Sequence, residues 1–240
     1  MPASAEPGTT FGRVAEAYAR TRPAYPRAAV ERAAQELRLS LDATVLDLAA
    51  GTGNLTRTLR EVFADVVAVE PDERMRAQFD GEMLDGSAEA IPLGDRAVDA
   101  VFVGEAFHWF DFEAALAEMR RVARRGLAVL GRLWGIKEQP DLLPQPFVDD
   151  LDEVWARFHG ARTHESFPDW REVVRPDGSE RFVELIPISG RDLVDLHLTG
   201  STPASIPDDE RQAIANRAYP LMDEEYELRV VTELYWKMFA

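Results

Sequence analysis

Cysteine is absent from the 240 residues, which excludes disulfides, thiolate metal sites and a cysteine nucleophile, and fits a reducing compartment. Lysine is almost absent too. Lys137 and Lys237 are the only two, an arginine-for-lysine bias of the kind a GC-rich bacterial source produces. No apolar run is long enough to span a bilayer, and the opening MPASAEPGTT lacks both the charged start and the apolar core of a secretory signal. Internal repeats and low-complexity tracts are missing as well. Positive charge is in deficit: 27 basic residues against 43 acidic ones leave a net charge of −16, which repels phosphate backbones and anionic membranes. The expectation is a cytoplasmic protein that acts on a small molecule, with neither nucleic acid nor membrane as partner. The oligomeric state is not legible.

What is present is the composition of a globular chain, 46% hydrophobic and 29% charged, long enough for a substantial core. The acidity is uneven. Residues 141–240 carry 21 acidic and 10 basic side chains, residues 1–140 carry 22 and 17, and the second part reads as a solvated acidic surface. Arg120, Arg121, Arg124 and Arg125 interrupt the trend at an expected helix end, where they complement the helix dipole.

Two regimes appear along the chain. Between residues 41 and 135, the short β-branched runs TVLDLA, DVVAVE, AVDAVFVG and GLAVLGRL alternate with the helical patterns NLTRTLREVF, DERMRAQF and DFEAALAEMRRVA. Such alternation predicts an α/β fold with a doubly wound, mostly parallel sheet. Residues 1–40 read as two helices broken at Arg22-Pro23 and Tyr25-Pro26. Residues 136–180 are rich in proline and aromatics and read as a helical insertion. Residues 181–240 return to strands, RFVELIPI and YELRVVTELYWKMF, with helices between them, the first capped by Ser189 or Gly190.

In a doubly wound sheet ligands bind at the carboxyl ends of the strands, where the strand order reverses. The turn Ala50-Gly51-Thr52-Gly53 follows the first strand of the alternating region, and its glycines let the backbone approach a ligand closely. Glycine turns alone are weak evidence. Glu70 ends the next strand, at the separation where an acid commonly accepts both hydroxyls of a ribose; an acid opening a helix before Pro71 is the alternative. The pyrophosphate turn of a dinucleotide site is missing, since the positions read Ala49-Ala50-Gly51-Thr52-Gly53-Asn54.

The sequence DLAAGTG resembles the first motif of class I S-adenosylmethionine (SAM) dependent methyltransferases. VVAVEP is similar to the family's second-strand acid motif, DGSAEAIPL to its third-strand adenine loop, AVDAVFVGEAFHWFD to its fourth strand and following turn, and EMRRVARRGLAVL to its approach to the fifth strand. FGRVAEAYARTRPAYP is similar to the lid of the subgroup containing trans-aconitate methyltransferase-like enzymes. The resemblance covers roughly the first 135 residues in order. It implies a seven-stranded Rossmann-like sheet, an N-terminal helical lid over residues 1–40 and an insertion after the fifth strand.

Carried over residue by residue, the resemblance places Asp47 and the amides of Ala49, Gly51 and Gly53 at the methionine end of SAM. Glu70 takes the ribose hydroxyls, Pro71 and Met75 pack on the adenine, and Ser87 and Ala88 meet its edge. Glu105 and Ala106 line the methionine side, while Tyr18 and Arg22 close over the cofactor; a buried stripe of Phe11, Val14 and Tyr18 at helical spacing is the alternative. Ala49 replaces the usual first glycine, Ser87 stands where an aspartate is common, and Arg124-Arg125-Gly126 replaces a Pro-Gly-Gly turn.

Methyl transfer from a sulfonium depends mostly on in-line positioning, with a base where the acceptor is a hydroxyl. His108 falls just after the fourth strand and is the candidate base; a cap on the helix starting at Asp111 is the alternative. Tyr25, Trp109, Phe110 and Trp134 are the candidate substrate wall; Trp109 and Phe110 sealing the core is the alternative. Most aromatics of the insertion read as its small core. His159 and His164 have no acids near them in a ligand pattern, so no metal is expected. The reading is a methyltransferase acting on the oxygen of a carboxylate or hydroxyl. A SAM-binding cyclase and a non-catalytic SAM-binding module are the competing classes.

Overall fold

The computed structural model describes residues 14–134, 139, 141–158 and 169–239. In chain order the elements are α1 (Ala15–Thr21), α2 (Arg27–Glu36), β1 (Thr44–Leu48), α3 (Asn54–Arg60), β2 (Asp65–Val69), α4 (Glu73–Arg76), β3 (Val98–Gly104), α5 (Phe112–Val122) and β4 (Ala123–Leu133). They continue with α6 (Gln145–Phe158), α7 (Trp170–Val174), β5 (Gly178–Ser189), α8 (Gly190–Leu198), α9 (Asp208–Ala218) and β6 (Glu225–Met238). The proline-marked break stands where expected, between the end of α1 and the start of α2. Ser189, not Gly190, caps α8, its hydroxyl accepting from Asp192 N.

The strands form one sheet in the order β2-β1-β3-β4-β6-β5, and the pairs β1–β2, β1–β3 and β3–β4 are parallel. Six strands are therefore present among the described residues, where seven were expected. The third strand implied ahead of DGSAEAIPL shrinks to a single parallel bridge between Val69 and Leu84. Two hydrogen bonds carry it, Leu84 N to Ala68 O and Glu70 N to Leu84 O. Gly81, Glu82, Asp85 and Gly86 flank Leu84 with poor strand formers, which stops the ladder from extending.

Two compact bodies make up the chain. One comprises Met1–Pro23, Leu133–Phe167 and Glu184–Val230, the other Ala24–Arg132, Pro168–Val183 and Val231–Ala240. The expected N-terminal segment 1–40 is thus shared, with α1 in the first body and α2 in the second. The expected insertion 136–180 is shared likewise, with α6 in the first and α7 in the second.

The second body holds the parallel strands, and alternation along them sorts side chains to two faces. Val45, Ala100, Phe102, Ala128 and Leu130 face α2 and α3, meeting Val30, Ala33, Leu37, Leu55 and Leu59. Leu46, Leu48, Val101, Val103, Leu127 and Val129 face α5, meeting Ala115, Leu116, Met119 and Val122. Covered on both sides, these strands read as nearly continuous apolar runs. Of the four arginines expected at a helix end, Arg120 and Arg121 sit in the last turn of α5 while Arg124 and Arg125 belong to β4. Arg121 does more than meet a dipole: it bonds Glu118, Asp95 and the carbonyls of Ile91 and Leu93.

In the first body the stripe Phe147, Leu151 and Val154 on α6 packs with Leu193, Val194 and Leu196 of α8 and with Ile214, Ala215 and Ala218 of α9. Phe147 therefore belongs to a core, as expected for most aromatics of its segment, whereas Trp155 is 42% exposed. Trp170 packs in the second body against Phe107 and Tyr235. The Phe158 side chain, Phe11, His159, His164 and Phe167 lie outside the described residues.

Candidate functional site

The chain leaves β1 for β2 on one side and returns to β3 on the other, so the order reverses between β1 and β3. That point is the crevice where an open α/β sheet binds ligands. The turn after β1 is built from left-handed residues: Ala49 has φ +55°, Gly51 +60° and Gly53 +79°. Ala49 and Glu105, the residue following β3 with φ +58°, are both non-glycine, and each such position costs about 1 kcal/mol or more. The two strained residues thus follow the two strands, β1 and β3, that flank the switch point. Gly53 has a second reason to be glycine, since a Cβ there would lie 2.2 Å from the ring of Phe79.

Two acids support the turn. Glu70, 6% exposed, accepts from Gly51 N at 2.8 Å through Oε2 and from Asp72 N at 2.9 Å through Oε1. Burial raises its pKa, and these two amide bonds work against the rise. Asp47, 1% exposed at the end of β1, accepts from the Thr56 hydroxyl at 2.5 Å through Oδ2. Its Oδ1 has no hydrogen-bond partner. Desolvation pushes the Asp47 carboxyl up to about 7, against the Thr56 bond and with the help of the Glu70 charge. A buried pair of carboxylates, one with an open oxygen, attracts a cation.

The remaining expected residues of this body are distributed around the same strand ends. Met75 is buried and lies within contact range of a Cβ built on Gly51, while Pro71 is exposed. Ser87 forms an isolated bridge with Ala90, and Ala88 is buried beside Val69 and Ile91. Glu105 uses Oε1 to accept from Arg132 N at 2.6 Å, and Ala106 is half-buried. His108 occupies a short 3-10 turn, Phe107–Trp109, half-buried and 4.8 Å from the Trp109 ring. The cap on α5 is Asp111 itself, accepting from Ala114 N, so His108 is not that cap. Phe110 packs on Phe107 and helps to close the core, whereas Trp109 is 37% exposed. Tyr25 is 5% exposed, with its hydroxyl against Gly104 and the Arg132 guanidinium 4.1 Å above its ring.

Tyr18, Arg22 and Trp134 belong to the first body and form a cluster there. The Arg22 guanidinium lies 4.4 Å from the Tyr18 ring and 4.6 Å from the Trp134 ring, and donates to Thr199 O. Trp134 meets His197 edge-on. His197, 8% exposed, is held through Nδ1 on Leu193 O, and burial drives its pKa down to about 4.

Sequence reasoning missed Thr56, Phe79 and Arg132. Thr56 carries no motif of its own, and Phe79 and Arg132 reach the site only through tertiary packing. Among the described residues no group of histidines, aspartates and glutamates has a metal-holding arrangement, and no helix is long and apolar enough to cross a membrane.

Residues 46–130 match the family described as a methyltransferase domain. An uncharacterized methyltransferase of Mycobacterium tuberculosis is 43% identical over 153 residues, covering 62% of this chain and 59% of the relative. A malonyl-[acyl-carrier protein] O-methyltransferase of Yersinia pestis is 32% identical over 124 residues, 49% of this chain and 43% of that one. The chain thus spans less than two thirds of the length of these relatives. Among solved structures, that of a proposed methyltransferase from an antibiotic biosynthesis pathway of Anabaena variabilis superposes with a TM-score of 0.56 at 20% identity, over 90% of this chain and 98% of the other, which is a likeness of fold. The stretch that matches the methyltransferase domain, residues 46–130, is the one that holds the left-handed turn, both buried acids and the switch point.

Proposed function

We propose that this protein transfers the methyl group of SAM to an oxygen of a small acceptor, a carboxylate or a hydroxyl. The observation that carries the reading is the pair of buried acids at the ends of β1 and β2, fixed by backbone amides and a hydroxyl instead of by arginines. Each Glu70 oxygen spends one lone pair on an amide and keeps another, so the carboxylate can accept both ribose hydroxyls without moving. The open Oδ1 of Asp47 suits the ammonium of the methionine moiety, and the amides of residues 49–53 complete that end. Pro71 and Met75 take the adenine face and Ser87 with Ala88 its edge. Glu105 and Ala106 line the methionine side.

The sulfonium leaves as a neutral thioether, so the chemistry needs an in-line acceptor and, for a hydroxyl, a base. His108 follows β3 on a short turn and fills that role in this reading. Tyr25 and Phe110 support the acceptor side from the core, and Trp109 faces solvent there. Tyr18, Arg22 and Trp134, clustered in the first body, keep in this reading the cofactor and substrate roles that the resemblance to the trans-aconitate methyltransferase-like subgroup implies. The Yersinia relative, named for O-methylation of a carrier-bound malonyl group, supports oxygen as the acceptor atom. The place of action is the cytoplasm. Incubation with SAM and a panel of carboxylic acids and phenols, followed for S-adenosylhomocysteine, tests the proposal. Product with no acid and no phenol, while nitrogen or carbon nucleophiles react, would overturn the oxygen assignment.

A further inference from the structure

Among the buried hydroxyls, Thr21 donates to Ala17 O and Thr199 to Leu196 O, three or four residues back along the chain, the usual arrangement for such side chains, while Thr58 of α3 donates to the distant carbonyl of Tyr25. Thr56 reaches a carboxylate instead. Its fully buried hydroxyl donates across the turn to Asp47 Oδ2, nine residues earlier. That bond occupies one carboxylate oxygen and leaves Oδ1, the one with no partner, as the oxygen for a ligand. We infer that Thr56 is a positioning residue of the cofactor site: it fixes the Asp47 carboxylate in one rotamer and holds it ready to meet a cationic ligand group through Oδ1. The inference rests on the proposed reading that Asp47 binds the methionine end of SAM.

Thr56 acts on charge as well as on orientation. A donor aimed at a carboxylate favours its ionised form, and in a site closed to water the hydroxyl replaces a hydration bond. The titratable group facing Asp47 is Glu70, from the end of β2, and it opposes ionisation; Asp72 and Arg76 act on Glu70 with opposite signs. The α3 side contributes only the uncharged Thr56. Binding of an ammonium at Oδ1 therefore draws the proton off Asp47 into solvent, and Thr56 lowers the work of doing so.

The test is calorimetry of SAM binding between pH 5.5 and 9 for the wild type, Thr56→Val, Thr56→Ser and Asp47→Asn. Taking the ratio of variant to wild-type Kd cancels the titration of the ligand's own amino group. For Thr56→Val the expected ratio is about tenfold near pH 6.5, one unit of pKa, falling at pH 9, where Asp47 is ionised in both proteins, to the smaller excess above unity that lost orientation alone leaves. Thr56→Ser, which keeps the donor, stays near unity throughout. A Thr56→Val ratio of one across the whole pH range, or an equal loss in Thr56→Ser, overturns the inference. Asp47→Asn separates the two claims, because wild-type affinity in that protein removes Asp47 from the cofactor site altogether.

Discussion

Both bodies pair surface acids with arginines, as Arg27 with Glu31 and Arg121 with Glu118 in the second, but among the described residues the buried acids lie in the second body. In the first, carboxylates sit at the surface opposite arginines: Arg20 meets Asp192 and Asp195, Arg157 meets Glu210, and Arg217 meets Asp150. In the second, the two acids nearest the switch point are almost fully buried, and their hydrogen-bond donors are a hydroxyl and backbone amides. The histidines divide in the same sense. His197 of the first body is buried and kept neutral, while His108 of the second is half-buried on a short turn at the end of β3. A surface ion pair is solvated structure that costs little to make or lose. A buried carboxylate with little compensation is costly, and in the proposed reading the positive charge of the ligand offsets part of that cost.

The largest effect tests the histidines. With the acceptor found by product screening, His108→Ala is expected to lower kcat by ~10²–10⁴-fold while SAM affinity stays within a few-fold, the pattern of an interaction made mainly in the transition state. His197→Gln, assayed beside it, is expected to lower thermal stability without a comparable loss of kcat in the folded protein. If the two swap behaviours, the contrast between the bodies fails for histidine.

Next in size is the pH dependence of stability without ligand. Asp47 has a folded pKa near 7 against an ordinary 3.8, so between about pH 4 and 7 the native state holds a proton that the unfolded chain has released. Stability then falls as pH rises through that window. The full shift corresponds to roughly 4 kcal/mol as an upper bound, and burial of Glu70 adds in the same direction. Urea midpoints from pH 4.5 to 8 should show the decline, and Asp47→Asn should flatten most of it. A wild-type midpoint that climbs steadily over this range would mean that the acids are compensated after all. Third, Glu70→Ala is expected to weaken SAM binding by about 1.5–3 kcal/mol. Unchanged affinity in a folded variant would leave Glu70 as a mere brace for the turn.

Much of this contrast is legible in the chain itself, for identifiable reasons. The change of period from Val45-Leu46-Asp47-Leu48 to Leu55, Leu59 and Val62 marks strand, turn and helix, because burial on both faces and amphipathic packing leave different spacings. Glu70 is found by its distance beyond the turn. Thr56 is invisible in that pattern: it looks like one more small residue on a buried helix face, and only the fold carries its hydroxyl to Asp47. Gly53 is legible as a turn glycine but not as the seat of the Phe79 ring, which comes from beyond the next strand. Phe110 looks like a ligand wall and turns out to pack on Phe107, since an aromatic beside a strand end has two faces to choose between. The third strand fails because two glycines and two acids around Leu84 outweigh an implied ladder. The sharing of residues 1–40 between the bodies rests on long-range contacts, about which local periodicity is silent.

The smallest effect belongs to the surface pairs and is the sharpest test of what makes the bodies different. Arg20 bridges Asp192 and Asp195 on α8, and Tyr219 also donates to Asp195 at 2.6 Å. The arginine side chain is 49% exposed, so water and salt screen the attraction, and α8 is already held by Leu193, Val194 and Leu196 in the first-body core. Arg20→Ala should therefore lower stability by less than about 1 kcal/mol, with the difference shrinking further in 0.5 M salt. Tyr219 would remain to satisfy the carboxylate that stays behind. Denaturant titrations at two salt concentrations measure this directly. A loss of several kcal/mol that salt does not reduce would show that Asp195 behaves as a buried acid like Asp47, and the distinction between solvated pairs and ligand-ready carboxylates would then have to be drawn by desolvation of each group instead of by body.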